Sequence, residues 1–540
     1  MIGYADKTGN IVAQTYFELY TEARKIALGL RRLGLKKSDN IIIATQNNKE
    51  TIEILWGCFL LGVVPTILQP PMTFSGYNPS VVKLMNVFRQ MGKPFVFMSP
   101  GIKETGDFPS EKIVFKQHLD VNGQFSPVSH NPDDLAFIQF SSGSTGDPKG
   151  VMLTHSNMMV NMEAIRIGTG CKLNERWGNW MPLFHDMGLI GYHFTPLYCQ
   201  VSQFHVDTLD FIMNPGLWLT LLSDNKVNIS GCTNFALALV IKYLKRGKQL
   251  SDWDFSPLKA LLNGAEPISV KTMEEFIEAL KPYNFKPETM MPVYGMAEST
   301  LAISFASLTD RSVSTAFDST LLDRENIAKS VDPSLPSARL LSEVGVALND
   351  IEIRIVDDHD NVIDEGNAGH IQIKGPSVTK GYYNNTQATA ATFCGEWLRT
   401  GDIGFIFEGR LYISGRYKDI IFKNGRHYFA NDLEDLACSI DEIHPGKVCF
   451  GGITTKETGQ DKVIAFIAGV PEQRALDTFL ELRSLMRSTL GMNIDELVLI
   501  KSNEIPKTSS GKLQRYKLMQ RYLNGELEDK KITADKLEIQ

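Results

Sequence analysis

The segment that most constrains this chain is Phe-Ser-Ser-Gly-Ser-Thr-Gly-Asp-Pro-Lys-Gly at 140–150. Glycines such as Gly143 and Gly146 let the backbone turn tightly and approach a ligand closely. Successive backbone N–H groups in such a loop form a concavity for anions. Ser141, Ser142, Ser144 and Thr145 add hydroxyl donors and Lys149 adds a positive charge, so phosphate is the expected guest. The apolar run at 135–140 reads as a buried strand, and Val151-Met152-Leu153 reads as another. The loop therefore connects two strands. A flexible Ser/Gly linker has the same composition, but buried strands on both sides argue against it. The nucleotide-hydrolase loop G-x-x-x-x-G-K-[ST] is excluded, because Pro148 precedes Lys149 and Gly150 follows it.

Helical and strand patterns alternate from the start. Residues 17–33 carry apolar side chains at helical spacing, and Asn40-Ile41-Ile42-Ile43-Ala44 reads as a strand. The uncharged stretch 54–68 is too short for an ordinary membrane span, and Gly57, Gly62 and Pro65 interrupt it. It reads as a buried helix running into a core strand. This alternation predicts parallel sheets covered by helices. After about 350 the texture changes to period-two runs at 351–356 and 370–373 and a further short strand at 410–414, predicting a small antiparallel sheet or barrel. From Arg416 onward the pattern predicts a separate small domain, and the charged tail from Asn524 reads as a frayed helix. A 540-residue chain with 43% hydrophobic residues supports several cores. The net charge of −7 disfavours nucleic acid as a partner. The seven cysteines show no pairing or metal spacing, which fits a reducing cytoplasm. The first residues form no secretory signal.

Six further motifs follow the loop in order. They are Phe-His-Asp-Met-Gly (184–188), Asn-Gly-Ala-Glu-Pro (263–267) and Tyr-Gly-Met-Ala-Glu (294–298). Then come Arg-Thr-Gly-Asp (399–402), Gly-Arg-Tyr-Lys-Asp (415–419) and Pro-Lys-Thr-Ser-Ser-Gly-Lys (506–512). With Ser-Ser-Gly-Ser-Thr-Gly-Asp-Pro-Lys-Gly, this set resembles the adenylate-forming enzymes, the superfamily of acyl-CoA ligases, peptide-synthetase adenylation domains and luciferases. The resemblance spans about 14–517. It implies an α/β fold: a large N-terminal domain (1–415) of parallel sheets covered by helices with a small β-barrel-like subdomain, then a small mobile C-terminal α+β domain (416–540).

The resemblance also implies roles. Ser141, Ser142, Gly143, Ser144, Thr145, Gly146 and Lys149 would bind the phosphates of ATP. Glu298 and Thr145 would hold Mg²⁺, a hard cation suited to oxygen ligands. Asn263, Gly264, Ala265, Glu266, Tyr294, Gly295, Met296 and Ala297 would bind adenine and ribose, with the Tyr294 ring on adenine and Gly295 permitting close approach. Asp402 would accept from both ribose hydroxyls, since a carboxylate offers only acceptor sites, and Arg416 would donate nearby. By residue type alone, Asp402 reads equally well as a turn aspartate after glycine. Lys512 is the implied catalytic cation that offsets repulsion between carboxylate and triphosphate. Without the motif it would read as a solvated surface lysine. His185 is placed beside the substrate carboxylate, Lys418 at the interdomain hinge, and Gly191, Tyr192, Asn234 and Phe235 in the acyl pocket. No metal site is expected around His185, His193 and His205.

Three details resemble the fatty acyl-AMP ligase branch. These are the wording Phe-His-Asp-Met-Gly-Leu-Ile-Gly (184–191), Ala297 where CoA ligases usually carry Thr, and about fifty residues between Glu298 and the strand at Ile351. The extra segment, roughly 306–342 with Arg311-Ser312-Val313-Ser314 and a turn at 333–336, matches that branch's insertion. The resemblance implies activation of a fatty or related carboxylic acid to acyl-AMP, then transfer to the phosphopantetheine arm of an acyl carrier protein in lipid, polyketide or lipopeptide biosynthesis. An acyl-CoA ligase is the alternative, and a non-catalytic acyl-adenylate sensor a remote one. Ala430 stands where the family often has Pro. The chain starts at the Tyr4 strand without the helix that usually precedes it, as in a domain of a larger synthase. No stable membrane insertion is expected.

Overall fold

The computed structural model describes the chain except residues 72, 73, 75–77, 101–107, 120, 122, 142–147, 248–251, 310–313, 350, 424, 425, 455–460, 508–512 and 534–540. Its largest feature is a nine-stranded sheet. In spatial order the strands are Val346–Ala347, Ala302–Phe305, Met290–Gly295, Ala260–Asn263, Ile229–Cys232, Arg176–Asn179, Ser202–Val206, Ile2–Ala5 and Ile11–Gln14. The pairings from Met290–Gly295 through to Ile2–Ala5 are all parallel, and antiparallel strands close both edges. Strand ends such as Cys232, Asn263 and Gly295 therefore point the same way, and the segments after them gather along one edge.

A second sheet, fully parallel, takes Val64–Ile67, Asn40–Ala44, Phe95–Met98 and Ile113–Val114. The helix Tyr16–Arg32 covers this region. It starts at Thr15, whose side chain accepts from the Glu18 amide while Glu18 reaches back to Thr15. Its buried Leu19, Ala23, Ile26 and Leu30 repeat at helical spacing. The helix Asn48–Leu61 is capped by Asn47 and ends at Gly62, whose φ of 77° suits glycine. The strand Val64–Ile67 follows directly, as expected from the sequence.

The strands Leu135–Ser141 and Lys149–Thr154 pair antiparallel on either side of the Ser/Gly-rich motif. Glu352–Val356, Gly369–Lys374, Trp397–Phe407, Phe393–Cys394 and Arg410–Arg416 form the antiparallel five-stranded sheet. The 306–342 segment folds as a strand Ser314–Asp318, a helix Ser319–Glu325 and a returning strand Ala338–Ser342. Its Phe317 packs edge-on against Phe405, Phe407 and Tyr412 of the five-stranded sheet.

From Ile420 onward a hairpin, Ile420–Lys423 with Arg426–Phe429, leads into a four-stranded mixed sheet ordered Val448–Thr454, Asp461–Ala468, Glu496–Ile500, Lys531–Thr533. Phe450, Val463, Phe479, Leu482 and Leu497 fill its core against flanking helices. The charged tail is not a frayed helix. The helix Arg515–Leu523 ends at Asn524, and Lys531–Thr533 pairs antiparallel with Glu496–Ile500. Burial of Leu527 anchors this return, and Lys531 sits 3.9 Å over the Tyr522 ring. The apolar residues within the tail, rather than its charges, decide its path.

All seven cysteines are free. No helix among the described residues is long and apolar enough to cross a membrane. One buried charge ties the first layers together. Glu53 is fully buried and accepts from Gln14 at 2.7 Å and from Lys49 and Lys116. Burial pushes its pKa up, but the two lysines overcome this and the net displacement is downward. Because the folded value lies below the unfolded one, the contribution is present at neutral pH and lost as acid titrates the carboxylate. Glu53→Gln should cost roughly 1.5–3 kcal/mol at pH 7. The denaturation midpoints of the two proteins should converge as the pH falls below the ordinary glutamate range.

Candidate active site

The segments following the parallel strands open onto a cavity of about 1820 Å³. After Arg176–Asn179 come Phe184, His185 and Asp186, and after Ile229–Cys232 come Asn234 and Phe235. Ala265 and Glu266 follow Ala260–Asn263, while Met296, Ala297 and Glu298 follow Met290–Gly295, and all of these line the cavity. Lys149, Asp402, Arg416 and Lys418 line it too. The lining continues into Lys507 and Arg515 of the C-terminal sheet's unit.

Tyr294 and Arg416 both reach Asp402. The Tyr294 hydroxyl donates to Asp402 Oδ2 at 2.6 Å, and Arg416 Nε lies 3.2 Å from Oδ1. The pairing arises because Trp397–Phe407 and Arg410–Arg416 pair antiparallel with Asp402 opposite Arg416. Burial raises the Tyr294 pKa, and the neighbouring carboxylate raises it further. The Asp402 carboxylate raises that of Arg416. The Tyr294 ring packs with Ile303, Ile355 and Leu411. A carboxylate has about four lone-pair sites, so two donors leave acceptor capacity for a diol.

Glu298 sits in a short 3₁₀ turn, Ala297–Ser299. Its Oε1 accepts from the Tyr382 hydroxyl at 2.8 Å, and its backbone carbonyl accepts from the Thr379 amide at 2.8 Å. Burial raises its pKa and the Tyr382 hydroxyl pulls the other way. The Lys149 ammonium lies 5.1 Å from the centre of the Tyr382 ring. One tyrosine thus touches both an anionic and a cationic member of the site.

His185 Nδ1 is 2.6 Å from Asp186 Oδ1, which also accepts from the Met187 amide at 2.7 Å. Gln139 Nε2 donates to the Phe184 carbonyl at 3.0 Å and fixes this segment on the hairpin Leu135–Ser141 with Lys149–Thr154. Met187–Phe194 then forms a π-helix carrying Gly191 and Tyr192 into the cavity wall. Such wide turns are rare and concentrate at functional sites. Ala265 has φ +68° and Thr300 φ +65°, conformations that cost an L-residue energy and that cluster at such sites.

Some expected residues lie elsewhere. Gly295 does line the cavity, and a Cβ there would strike the Leu301 carbonyl. Gly264 is pressed against Val293 in the same way. Asn263 is fully buried at a strand end, with both side-chain polar atoms unpaired among the described residues. Ser142, Gly143, Ser144, Thr145, Gly146 and Lys512 lie outside the described residues, as does Arg311-Ser312-Val313, and Ser141 is placed only as the end of its strand. Among the described residues no group of three or more His, Cys, Asp or Glu is placed to hold a metal ion.

The sequence reading missed Gln139, Tyr382 and Arg515. Gln139 was detectable as the lone polar residue of an apolar strand, whereas Tyr382 had no local signal. Arg515, three positions after Lys512, bonds Glu434 Oε1 at 2.9 Å and Oε2 at 2.6 Å, Asp419 at 3.1 Å, and Asn431. It ties the segment after the lysine motif to the turn Tyr417–Asp419 that holds Lys418.

The chain belongs to the AMP-binding enzyme family, whose model matches residues 4–383, and is an adenylate-forming acid ligase. Residues 418–532 match the Disco-interacting protein 2-like AMP domain. A Caulobacter vibrioides protein provisionally named an acyl-CoA synthetase is 31% identical over 530 residues, covering 95% of this chain and 91% of that protein. The medium-chain-fatty-acid–acyl-carrier-protein ligase JamA of Moorena producens is 28% identical over 545 residues, covering 95% and 90%. A solved structure of the E. coli and L. pneumophila fatty acyl-adenylate ligases matches with a TM-score of 0.89 at 28% identity, covering 97% of this chain and 95% of that one.

Asp402→Asn should raise the AMP dissociation constant roughly tenfold or more, because a charged acceptor is lost. Calorimetric titration of AMP into the two proteins measures this directly. An unchanged constant would remove Asp402 from nucleotide binding.

Proposed function

We propose that this protein activates a fatty or related carboxylic acid with ATP and passes the acyl group to the phosphopantetheine thiol of an acyl carrier protein. The cavity supports this reading. It brings His185, Glu298, Asp402, Arg416 and Lys149 together with residues of the C-terminal unit around one space. In the first half-reaction a carboxylate oxygen bonds to the α-phosphorus of ATP, the bond to the bridging oxygen breaks, and pyrophosphate leaves. In the second, the carrier thiol loses its proton to solvent, sulfur bonds to the acyl carbon, the bond from that carbon to the phosphate oxygen breaks, and AMP leaves.

The chain's residues divide the work. Asp402 and Arg416 hold the ribose, and the unpaired Asn263 amide suits an adenine edge or a bridging water, since a buried amide without a partner is costly. His185, held by Asp186, sits at the acid's carboxylate, and Gly191, Tyr192, Asn234 and Phe235 wall the acyl chain. Mg²⁺, when bound, neutralises charge on the phosphates. Glu298 fits as its protein ligand, because a half-buried carboxylate facing a phosphate site suits a hard cation. Lys149 and the serines of its loop take the phosphate tail. Lys512 supplies the cation that offsets repulsion between the two anionic substrates.

Lys512→Ala should therefore lower ATP–pyrophosphate exchange roughly a hundred- to thousandfold, as for loss of one transition-state electrostatic contact. Exchange within about threefold of the unmutated protein would sink this assignment.

The acceptor reading draws on a second observation. Arg339, on the returning strand of the 306–342 insertion, lies 2.6 Å from Asp323 of the same insertion. Its Nε also lies 3.4 Å from Asp432, on the C-terminal helix Ala430–Ala437. Burial and Asp323 push the Asp432 pKa up, while Arg339 pulls it down. The insertion so clamps the C-terminal unit, and a clamp of this kind acts on the second half-reaction, where that unit pivots about Lys418. The reading favours the carrier thiol over CoA. Asp432→Asn releases the clamp on one side only. It should leave pyrophosphate exchange within about threefold and raise acyl-CoA formation roughly tenfold. Efficient acyl-CoA synthesis by the unmutated protein would hand the reading to a CoA ligase.

A further inference from the structure

The helix Pro79–Gln90 packs Leu84, Val87 and Phe88 into the apolar cluster that also holds Ile138 and Phe140. Lys83 leaves this cluster on the cavity side and lines the cavity with Gln139, Phe140 and Lys149. Its ammonium donates to the Phe140 carbonyl at 3.3 Å. In the hairpin register Phe140 faces Gly150 and Ser141 faces Lys149, so this contact lies one step from Lys149. Two cations therefore converge on one end of the hairpin.

Among the described residues, no anion balances the first of them. Among the described residues no carboxylate pairs with Lys83, and its bond goes to a neutral carbonyl. Burial pushes its pKa down to about 8, which marks a charge taken out of water without compensation. A carbonyl needs only a neutral donor. A partly buried ammonium is better stabilised by an anion than by a carbonyl alone.

The geometry points to Lys83 as a second cationic contact for a polyphosphate, holding with Lys149 the pyrophosphate portion of ATP and the pyrophosphate that leaves. This rests on the adenylation reading above for its place in a reaction, but the binding site it describes can be measured without turnover. The acid is the weaker candidate for the anion, because Gly191, Tyr192, Asn234 and Phe235 belong to the nine-stranded sheet and its following segments, not to this hairpin. Lys83 would act by binding, and its removal should separate phosphate-tail affinity from nucleoside affinity.

The test uses the full chain, Lys83→Met and Lys83→Arg. Inorganic pyrophosphate and AMP are titrated calorimetrically in Mg²⁺ buffer, and the KM for ATP is taken from exchange rates. Methionine should raise the pyrophosphate dissociation constant and the ATP KM roughly tenfold, as for a lost charge-assisted hydrogen bond. The AMP constant should stay within about twofold, which also reports an intact fold, and arginine should restore most of the affinity. Equal losses for AMP and pyrophosphate would make Lys83 a structural residue and overturn the proposal. So would an unchanged pyrophosphate constant in Lys83→Met, or no pyrophosphate binding by the unmutated protein. Selective loss of pyrophosphate affinity supports the site even if the unmutated chain forms no acyl-AMP, a result that would overturn only the adenylation reading.

Discussion

Parallel strand pairing is the constraint on which the rest of this structure depends. From Met290–Gly295 to Ile2–Ala5 each strand runs in the same direction as its neighbour. Each must therefore be followed by a crossover, and the segments leaving the carboxyl ends collect along one edge. Four segments, starting near Phe184, Asn234, Ala265 and Met296, reach the cavity for this one reason. They are far apart in sequence and share no local signal that would bring them together.

The five-stranded antiparallel sheet closes the cavity from another side. It delivers Asp402 and Arg416 as register partners, so their ion pair is a consequence of strand pairing. Tyr294 crosses from the large sheet to join them. A buried carboxylate held by two donors is rigid, and a rigid acceptor loses little entropy when a diol binds. The same economy runs through Glu298 and Tyr382. Arg515 and Arg339 play a different part, since each joins carboxylates from separate segments in settings where water does not screen the charge.

Much was legible in the sequence. Local patterns reported the helix Tyr16–Arg32, the strand Asn40–Ala44 and the hairpin around the Ser/Gly loop, because periodicity and capping are properties of adjacent residues. The motifs named a minority of the residues that line the cavity, among them His185, Glu298, Asp402 and Arg416. The tail after Asn524 was misread, because its charges outnumber its apolar residues and Leu527 finds its partners only in the folded sheet. At Gly295 the absence of a side chain also makes room for the Leu301 backbone, a neighbour no local pattern shows.

The sequence by itself determined the elements and the chemistry they carry. Apolar spacing, caps and turn residues act over a few positions, and the family's motifs name their own residue types. Tertiary structure alone decided which charges meet. Arg339 faces Asp432, Lys83 approaches Phe140, and Tyr382 stands between Glu298 and Lys149. Those encounters depend on sheet order and register across hundreds of residues, and no local pattern encodes a distance in space.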